Sequence, residues 1–546
     1  MTAALLLAKL SLLGVLATFL PLFAGVRRWR RGMASLLVVA CVALAAFTVV
    51  AYESRPEQPG AQPSGAAGGG DALSWLLHHW PLLLAAVIAL LVVLAVLTWV
   101  AWRTPKWIMP AAVVVMALHL PLGFSGGAPK LLWPLYLVVF AVLIVEVVVR
   151  DRLAPPADAG RDRLRLALAA FIAVAGVSLL WAGFSYASGV TAFTAGLVKL
   201  WAFYLPFGAL YYLVFHYVRS AADLRRVLLT ILWLGVVLAA IGIVQYPTQL
   251  VVFNRAAIER EHALGHAFRA NSLFYDPNVF SRFLIMALLL CAVLAIVEPA
   301  WRRRLGGMAA LFAVANVFTF SRSGWVALLT GLVLLGYAWL GRRRGTYVLA
   351  ALVLAFGIGL GVLTLARGTP IRRATLAHPW GINKITGGRY YLANGGLLMF
   401  AAHPEGVGLG GFPHAYPFYR DIHARKSLRE SHTTPITVLA ELGVEGVVAY
   451  VAVLVAFFAV AFRPRRRRNG TASGLAHAPP ADRSLRLVNA GLAAVVLAVI
   501  VDSLLYNAFF EDPYLWTMMA LTAAAACRLT AWRDESTRMA AADRAV

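Results

Sequence analysis

The stretch SHTTPITVLAELGVEGVVAYVAVLVAFFAVAFRPRRRR, residues 431–468, decides the fold class. Thr434 is the expected cap and Pro435 the first helical position, because proline carries the helical φ and has no N–H to leave unsatisfied in the first turn. The apolar run then continues to residue 462. At 1.5 Å per residue, about 20 residues are enough to cross a hydrocarbon core of roughly 30 Å. A basic cluster, Arg463 and Arg465 to Arg468, follows at once. By the positive-inside rule that end is cytoplasmic, so the chain enters this helix from outside, at His432.

The same unit recurs along the chain. Apolar runs of spanning length are read at 3–24, 33–51, 78–101, 107–123, 131–149, 163–184, 193–215, 226–247, 281–299, 305–320, 323–340, 346–366, 434–462, 485–505 and 513–532. The expectation is an all-α, polytopic transmembrane bundle of 14–15 helices. Hydrophobic residues make up 61% of the 546 and charged residues 13%, about half the charged share of soluble domains, which excludes a large soluble fold. The first run is read as a retained helix, since its basic residues Arg27, Arg28, Arg30 and Arg31 follow the apolar stretch, opposite to a signal peptide. Cys41, Cys291 and Cys527 all fall in apolar runs without metal-type spacing and read as small buried hydrophobes.

The net charge of +25 is explained by topology, and no nucleic-acid partner is inferred. Most of the 49 Lys and Arg lie in alternate connections, among them Arg219 to Arg226, Arg302 to Arg304, Arg342 to Arg344 and Arg463 to Arg486. This places the N-terminus and the loops 248–280 and 367–432 outside. Stretches rich in Pro, Gly, Ala and Ser at 52–72, 154–162 and 469–482 read as solvated linkers. The chain divides into N-terminal helices at 1–153, a membrane core at 163–532 and, within it, the large outer loop 367–432. A loop of that length is usually functional. GRYYLANGGLLMFAAHP inside it has near-helical apolar spacing and reads as an amphipathic helix that starts at Arg389 and stops at Pro404.

The polar residues of the outer segments carry the candidate chemistry. Arg322, in SRSG, stands at a tight junction of two apolar helices where a charge wants an anion. Arg269, beside Phe268 and Asn271, and Arg389, beside Gly388 and Tyr390, are two further outer cations. Three guanidinium groups can grip a diphosphate, because the planar fork pairs bidentately with phosphate oxygens. Snorkelling to lipid headgroups is the alternative. His432, held just before a helix, can take a proton from an acceptor hydroxyl.

Glu441, about 9 Å into that helix by its rise, and Glu445, one turn deeper on the same face, can pair with the arginines or orient the histidine. Structural pairing with Arg282 or Arg322 is an equal alternative. Asp276 and Asn278 in YDPN, and Asp512 before Pro513, read as helix caps. Seven of the twelve histidines, His262, His266, His378, His403, His414, His423 and His432, fall in the two outer loops. None has the tight spacing of a zinc site, so no metal is expected.

In order along the chain these segments read FRANSLFYDPN, FSRSGW, GGRYYLANGGLLMFAAHPEGVGLGGF and SHTTPITVLAELGVEG. The series resembles the O-antigen ligase and polymerase superfamily over roughly residues 165–530; Glu445 stands where that pattern is usually apolar. The resemblance implies an integral-membrane glycosyltransferase of the GT-C type, in the cytoplasmic (inner) membrane. It would move a glycan from an undecaprenyl-diphosphate carrier to a lipid or glycan acceptor on the outer face, as ligase or as polymerase. It implies that Arg269, Arg322 and Arg389 hold the diphosphate and His432 activates the acceptor, with no cofactor and no required metal. Glu441 is a second catalytic candidate; Asn278, Tyr390 and Glu445 are supporting ones. The alternative from another class is a polysaccharide or lipid transporter or flippase, which should show repeats, broken helices and midplane charges. For that role the sequence offers Glu146, Lys199, Glu445 and Asp502.

Overall fold

The computed structural model describes residues 2–23, 80–118, 132–146, 162–181, 189–252, 268–366, 389–421, 431–463, 480–506 and 509–528. Outside them lie the expected span at 33–51, Cys41, the basic residues at 27–31 and 533–544, the linker at 52–72, and His262, His266, His378 and His423.

Among the described residues the chain is helical throughout, with no strand. The helices are α1 (Thr2–Phe23), α2 (Trp80–Arg103), α3 (Ile108–Val115), α4 (Trp133–Ile144), α5 (Arg163–Val177), α6 (Gly189–Lys199), α7 (Leu205–Tyr217), α8 (Ala221–Thr248), α9 (Pro277–Val297), α10 (Arg302–Phe318), α11 (Arg322–Ala366), α12 (Arg389–Ala402), α13 (Phe412–Tyr419), α14 (Thr434–Ala461), α15 (Pro480–Ser503) and α16 (Pro513–Arg528). Seven described segments are long and apolar enough to cross a membrane: Arg163–Leu180, Ala192–Tyr217, Ala221–Thr248, Pro277–Val297, Arg322–Gly341, Thr434–Ala461 and Arg483–Ser503. Shorter apolar helices run over Ala8–Ala17, Val92–Arg103, Pro105–Val115 and Pro134–Ile144.

Local chemistry starts and stops these helices where the sequence marks them. Ser220 and Asp223 form a capping box on α8: the Ser220 hydroxyl accepts from Asp223 N (3.1 Å), and the Asp223 carboxylate accepts from Ser220 N (3.1 Å). Asp276 caps α9 by accepting from Asn278 N (2.6 Å). Asp512 caps α16 by accepting from Tyr514 N (2.9 Å) and Leu515 N (3.3 Å). Pro277 and Pro513 each open the helix that follows. In α11 the expected division between spans 323–340 and 346–366 appears as a non-helical Gly341 (φ 78°).

One apolar core runs from Ala8 in α1 to Ala525 in α16, so the N-terminal helices share it with the rest. Its centre is aromatic. Phe171 stacks on Phe510 at 3.9 Å between ring centroids, and Phe207 meets the fully buried Trp516 edge-on. Large apolar side chains also line the outside, including Trp233, Val237, Val244, Val448 and Val455; on a membrane-spanning bundle this is the surface that lipid covers.

The ends of the helices sort by charge. Helices α8, α10 and α15 begin near Arg225, Arg302 to Arg304, and Arg483 with Arg486. Their far ends all bond to the segment 269–282 that leads into and opens α9: Gln245 to Ser272, Thr319 to Arg269, and Asp502 to Arg282. Helices α11 and α14 run the opposite way, from Arg322 and His432 towards Arg343 and Arg463. Basic residues therefore mark one end of the bundle and the candidate residues gather at the other.

Candidate functional site

Three arginines from separated segments come together at that second end. Ala270 N donates to Phe318 O (2.9 Å), which pins the segment before α9 onto the end of α10. Arg269 then donates from Nε to Thr319 O (2.8 Å) and from Nη2 to Asn278 Oδ1 (2.7 Å). Arg322 opens α11 and is exposed, while Ser321 and Ser323 on either side are buried and bonded to each other (3.2 Å). Arg389 opens α12, half-buried, and its guanidinium is held below the ordinary range. Burial is the largest cause; the positive charges of Arg322 and Arg269 add to it, and Asp502 and Tyr506 oppose it. A guanidinium stays protonated under such a load, so the three carry like charge into one place.

Of the supporting candidates, Asn278 orients Arg269 through its side-chain carbonyl. Tyr390 lies next to Arg389, its ring edge-on to Tyr391 at 5.7 Å.

His432 is half-buried and has φ +58°, the left-handed region that non-glycine residues seldom occupy and histidine tolerates better than most. Ser431 is fully buried: its Oγ donates to Thr433 O (2.7 Å), accepts from Thr433 N (3.1 Å) and bonds to Thr437 Oγ1 (2.7 Å). This knot fixes the turn that presents the imidazole. The helix cap is Thr433, one residue before the expected Thr434, with Pro435 still in the first turn. The His432 ring lies 6.2 Å from the ring of Tyr506, tilted by 41°.

The two carboxylates of α14 do not share a face as the spacing predicts. Gly443 takes φ 66° and ψ −156°, which breaks the helix between them, so Glu441 is buried and Glu445 is exposed. Glu441 pairs with Lys199, whose Nζ is 3.3 Å from both its carboxylate oxygens, and accepts from Phe412 N (3.4 Å). The expected alternative of pairing with Arg282 gives way to this, because Arg282 is taken by Asp502 (2.7 Å) and Asp512 (3.7 Å).

The segment EGVGLGG, residues 405–411, fills the break. Val407 N donates to Ala440 O (3.0 Å), Gly408 N to Glu441 O (2.8 Å), and Val444 N to Pro404 O (3.0 Å). The loop thus satisfies the groups that the break frees, as irregular backbone in a membrane bundle must be satisfied by protein. Gly406 (φ 81°) and Gly443 face each other so closely that a side chain on either would strike the opposite backbone. Leu409 N and Gly406 O are tied in turn to Ser178 Oγ (3.0 Å) and Trp181 Nε1 (3.2 Å). His403 joins α12 to α13 by bonding to Tyr419 (3.1 Å), and also meets Glu405 (3.3 Å).

Sequence reasoning passed over Tyr506, which sits where α15 ends. Its apolar context, SLLYNAFFEDPY, gave no periodic signal, and only an aromatic beside an Asp four residues earlier hints at a site. Glu511 was also missed: it lies 3.9 Å from Lys199 and lines both described cavities. One, about 440 Å³, has walls of Phe274, Phe283 and Met286 with Arg282 and Asp512. The other, about 320 Å³, is lined by Lys199, Glu441, Thr434, Thr437 and Phe510.

Residues 307–451 match a family model described as O-antigen ligase, which supports membership of the O-antigen ligase superfamily. The match contains Arg322, Arg389, His432 and Glu441, and is narrower than the resemblance read from the motifs. A search among curated proteins finds no match.

Proposed function

We propose that this polytopic membrane protein, with an O-antigen ligase match in its C-terminal half, transfers a glycan from an undecaprenyl-diphosphate carrier to an acceptor hydroxyl on the outer face of the cytoplasmic membrane. The observation that carries the reading is the convergence of Arg269, Arg322 and Arg389 at the end of the bundle that also presents His432. In the reaction the acceptor oxygen forms a bond to the anomeric carbon as the bond from that carbon to the diphosphate oxygen breaks. The acceptor proton passes to His432, and the leaving carrier diphosphate keeps the electron pair. Cations fixed in advance around that leaving group stabilise charge as it develops, commonly the largest single contribution to such catalysis.

Several features favour this reading over a carrier. Three of the four charges that a carrier would use are engaged inside the protein, Asp502 with Arg282, Lys199 with Glu441, and Glu146 with the Tyr217 hydroxyl and, at 3.6 Å, with His216, while Glu445 is exposed. Asp502, Glu146 and Glu441 are also almost wholly buried. The basic helix ends opposite the site support an outer location for it.

The test is transfer by the purified protein in liposomes, given a polyprenyl-diphosphate-linked glycan and a panel of lipid and glycan acceptors. Product length separates single transfer from polymerisation. His432→Ala is expected to lower turnover by about 10² to 10⁴, the usual range for a general base, with donor binding retained. Near-normal turnover of folded His432→Ala would remove the histidine from the mechanism. A cysteine at Ala401, exposed near the end of α12, should react with an impermeant thiol reagent in intact spheroplasts; labelling only after lysis would overturn the outer location.

A further inference from the structure

The proposed reaction needs the imidazole that takes the proton to stay in register with the arginines that take the charge. His432 and the arginines belong to different segments, so something must fix one to the other. The turn after α15 is built for this. It closes tightly, with Leu505 N and Tyr506 N both donating to Asp502 O (2.9 and 2.8 Å).

Arg282, only 1% exposed, braces that turn from α9. Its Nε donates to Asp502 Oδ2 (2.7 Å), its Nη2 donates to Tyr506 O (3.1 Å), and Asp512 at the start of α16 lies 3.7 Å from Nη1. Two acids and a backbone carbonyl hold one guanidinium, so the backbone at Tyr506 is tied to α9, α15 and α16. The same guanidinium lies 5.8 Å from the centroid of the Tyr506 ring, in cation–π range, and the His432 ring lies 6.2 Å from it. Tyr506 also acts electrostatically on Arg389, beside Arg322 and Arg269. The ring therefore connects a rigid internal brace to the histidine, within the field of the arginine cluster.

We infer that Tyr506 is a positioning residue whose aromatic ring fixes the His432 imidazole beside the arginine cluster. The inference rests on the proposed role of His432. It assigns the work to the ring, so Phe should serve and an aliphatic side chain should not. Small misplacements of a reacting group lower turnover steeply while leaving binding intact.

The test compares Tyr506→Leu, which keeps an apolar side chain but removes the ring, with Tyr506→Phe, which keeps the ring, in the full-length protein in liposomes. For the Leu variant, turnover is expected to fall about tenfold or more with the half-saturating donor concentration unchanged, and diethyl pyrocarbonate should modify the peptide containing His432 faster. The Phe variant should stay within about threefold of the parent, of the order of an exposed-site change. Wild-type turnover in Tyr506→Leu overturns the inference, and so does a Phe variant as impaired as the Leu variant. His432→Ala in the same assay separates the two failures. If it turns over normally, the histidine reading itself falls; if it is inactive while Tyr506→Leu is normal, only the role of Tyr506 falls.

Discussion

Arg282 and Arg322 both stand at the site end of an apolar bundle, on helices packed against each other, and they are treated in opposite ways. Arg282 is 1% exposed and enclosed by Asp502, Asp512 and the Tyr506 carbonyl. Arg322 is exposed, and the charges that it acts on include the cationic Arg389. Charge that is buried with its counter-charge holds helices together. Charge set opposite like charge is electrostatically unfavourable until an anion arrives, which is the arrangement the proposed diphosphate site calls for. The same division separates Lys199, paired with Glu441, from Arg389.

Replacing Arg282 with Met should give the largest effect on the fold. Asp502 would remain buried without its main partner, and breaking a buried pair from one side costs about 3–5 kcal/mol. The apparent melting temperature in detergent should fall sharply, and Arg282→Met combined with Asp502→Leu should recover much of the loss. A single variant as stable as the parent would show that the pair does not brace the bundle.

At Arg322 the effect should move from stability to chemistry. Arg322→Ala is expected to lower turnover about 10²-fold, the scale of losing one fixed donor at a developing negative charge. Arg322→Lys should recover only part of it, since a point charge lacks the planar fork. The melting temperature should hardly change, because the side chain is exposed. Full activity in both variants would end the assignment of Arg322 to the diphosphate.

Glu441→Gln tests the border between the two classes. Lys199 would keep Glu511 at 3.9 Å but lose its closer partner, and the bond from Phe412 N would lose its charged acceptor. A loss of about 1–3 kcal/mol is expected, the range for a buried polar group left short of a partner. Turnover per folded molecule should stay close to the parent. A stable but inactive Glu441→Gln would instead make this carboxylate part of the reaction.

The class of fold could be read from sequence, and most candidate site residues could be picked out there, because each has a one-dimensional signature. Apolar length, proline at a helix start and basic clusters at alternate ends are local properties, and the Asp276 and Asp512 caps depend on neighbours one to three residues away. Arg269, Arg322 and Arg389 were recognisable as charges in apolar or glycine-rich surroundings. What the sequence did not disclose are relations between distant segments: Arg282 with Asp502, Lys199 with Glu441, and the ring of Tyr506 beside His432. The error at Glu445 has a different origin. Helical spacing puts positions 441 and 445 on one face only while the helix is continuous, and a single glycine in a left-handed, extended conformation cancels that rule.

Glu445 should therefore show the smallest effect of all. From Val444 to Ala461 the uninterrupted helix is about 27 Å long at 1.5 Å per residue, close to the thickness of the hydrocarbon core. If that stretch alone spans the core, the break at Gly443 falls near the membrane boundary, with Glu445 just inside it on the side that also exposes Val444 and Val448. The carboxylate is exposed, so it is not a buried charge requiring a partner. Glu445→Leu should extend the lipid-facing apolar stripe of Val444, Val448, Val451 and Val455. Its stability should lie within about ±0.5 kcal/mol of the parent, as for most substitutions away from the packed core, and transfer should be unchanged. A clear loss of transfer in a stable Glu445→Leu protein would mean that an acidic group at this boundary meets the incoming lipid carrier. The comparison would then have to admit a third class of charge, exposed, acidic and functional.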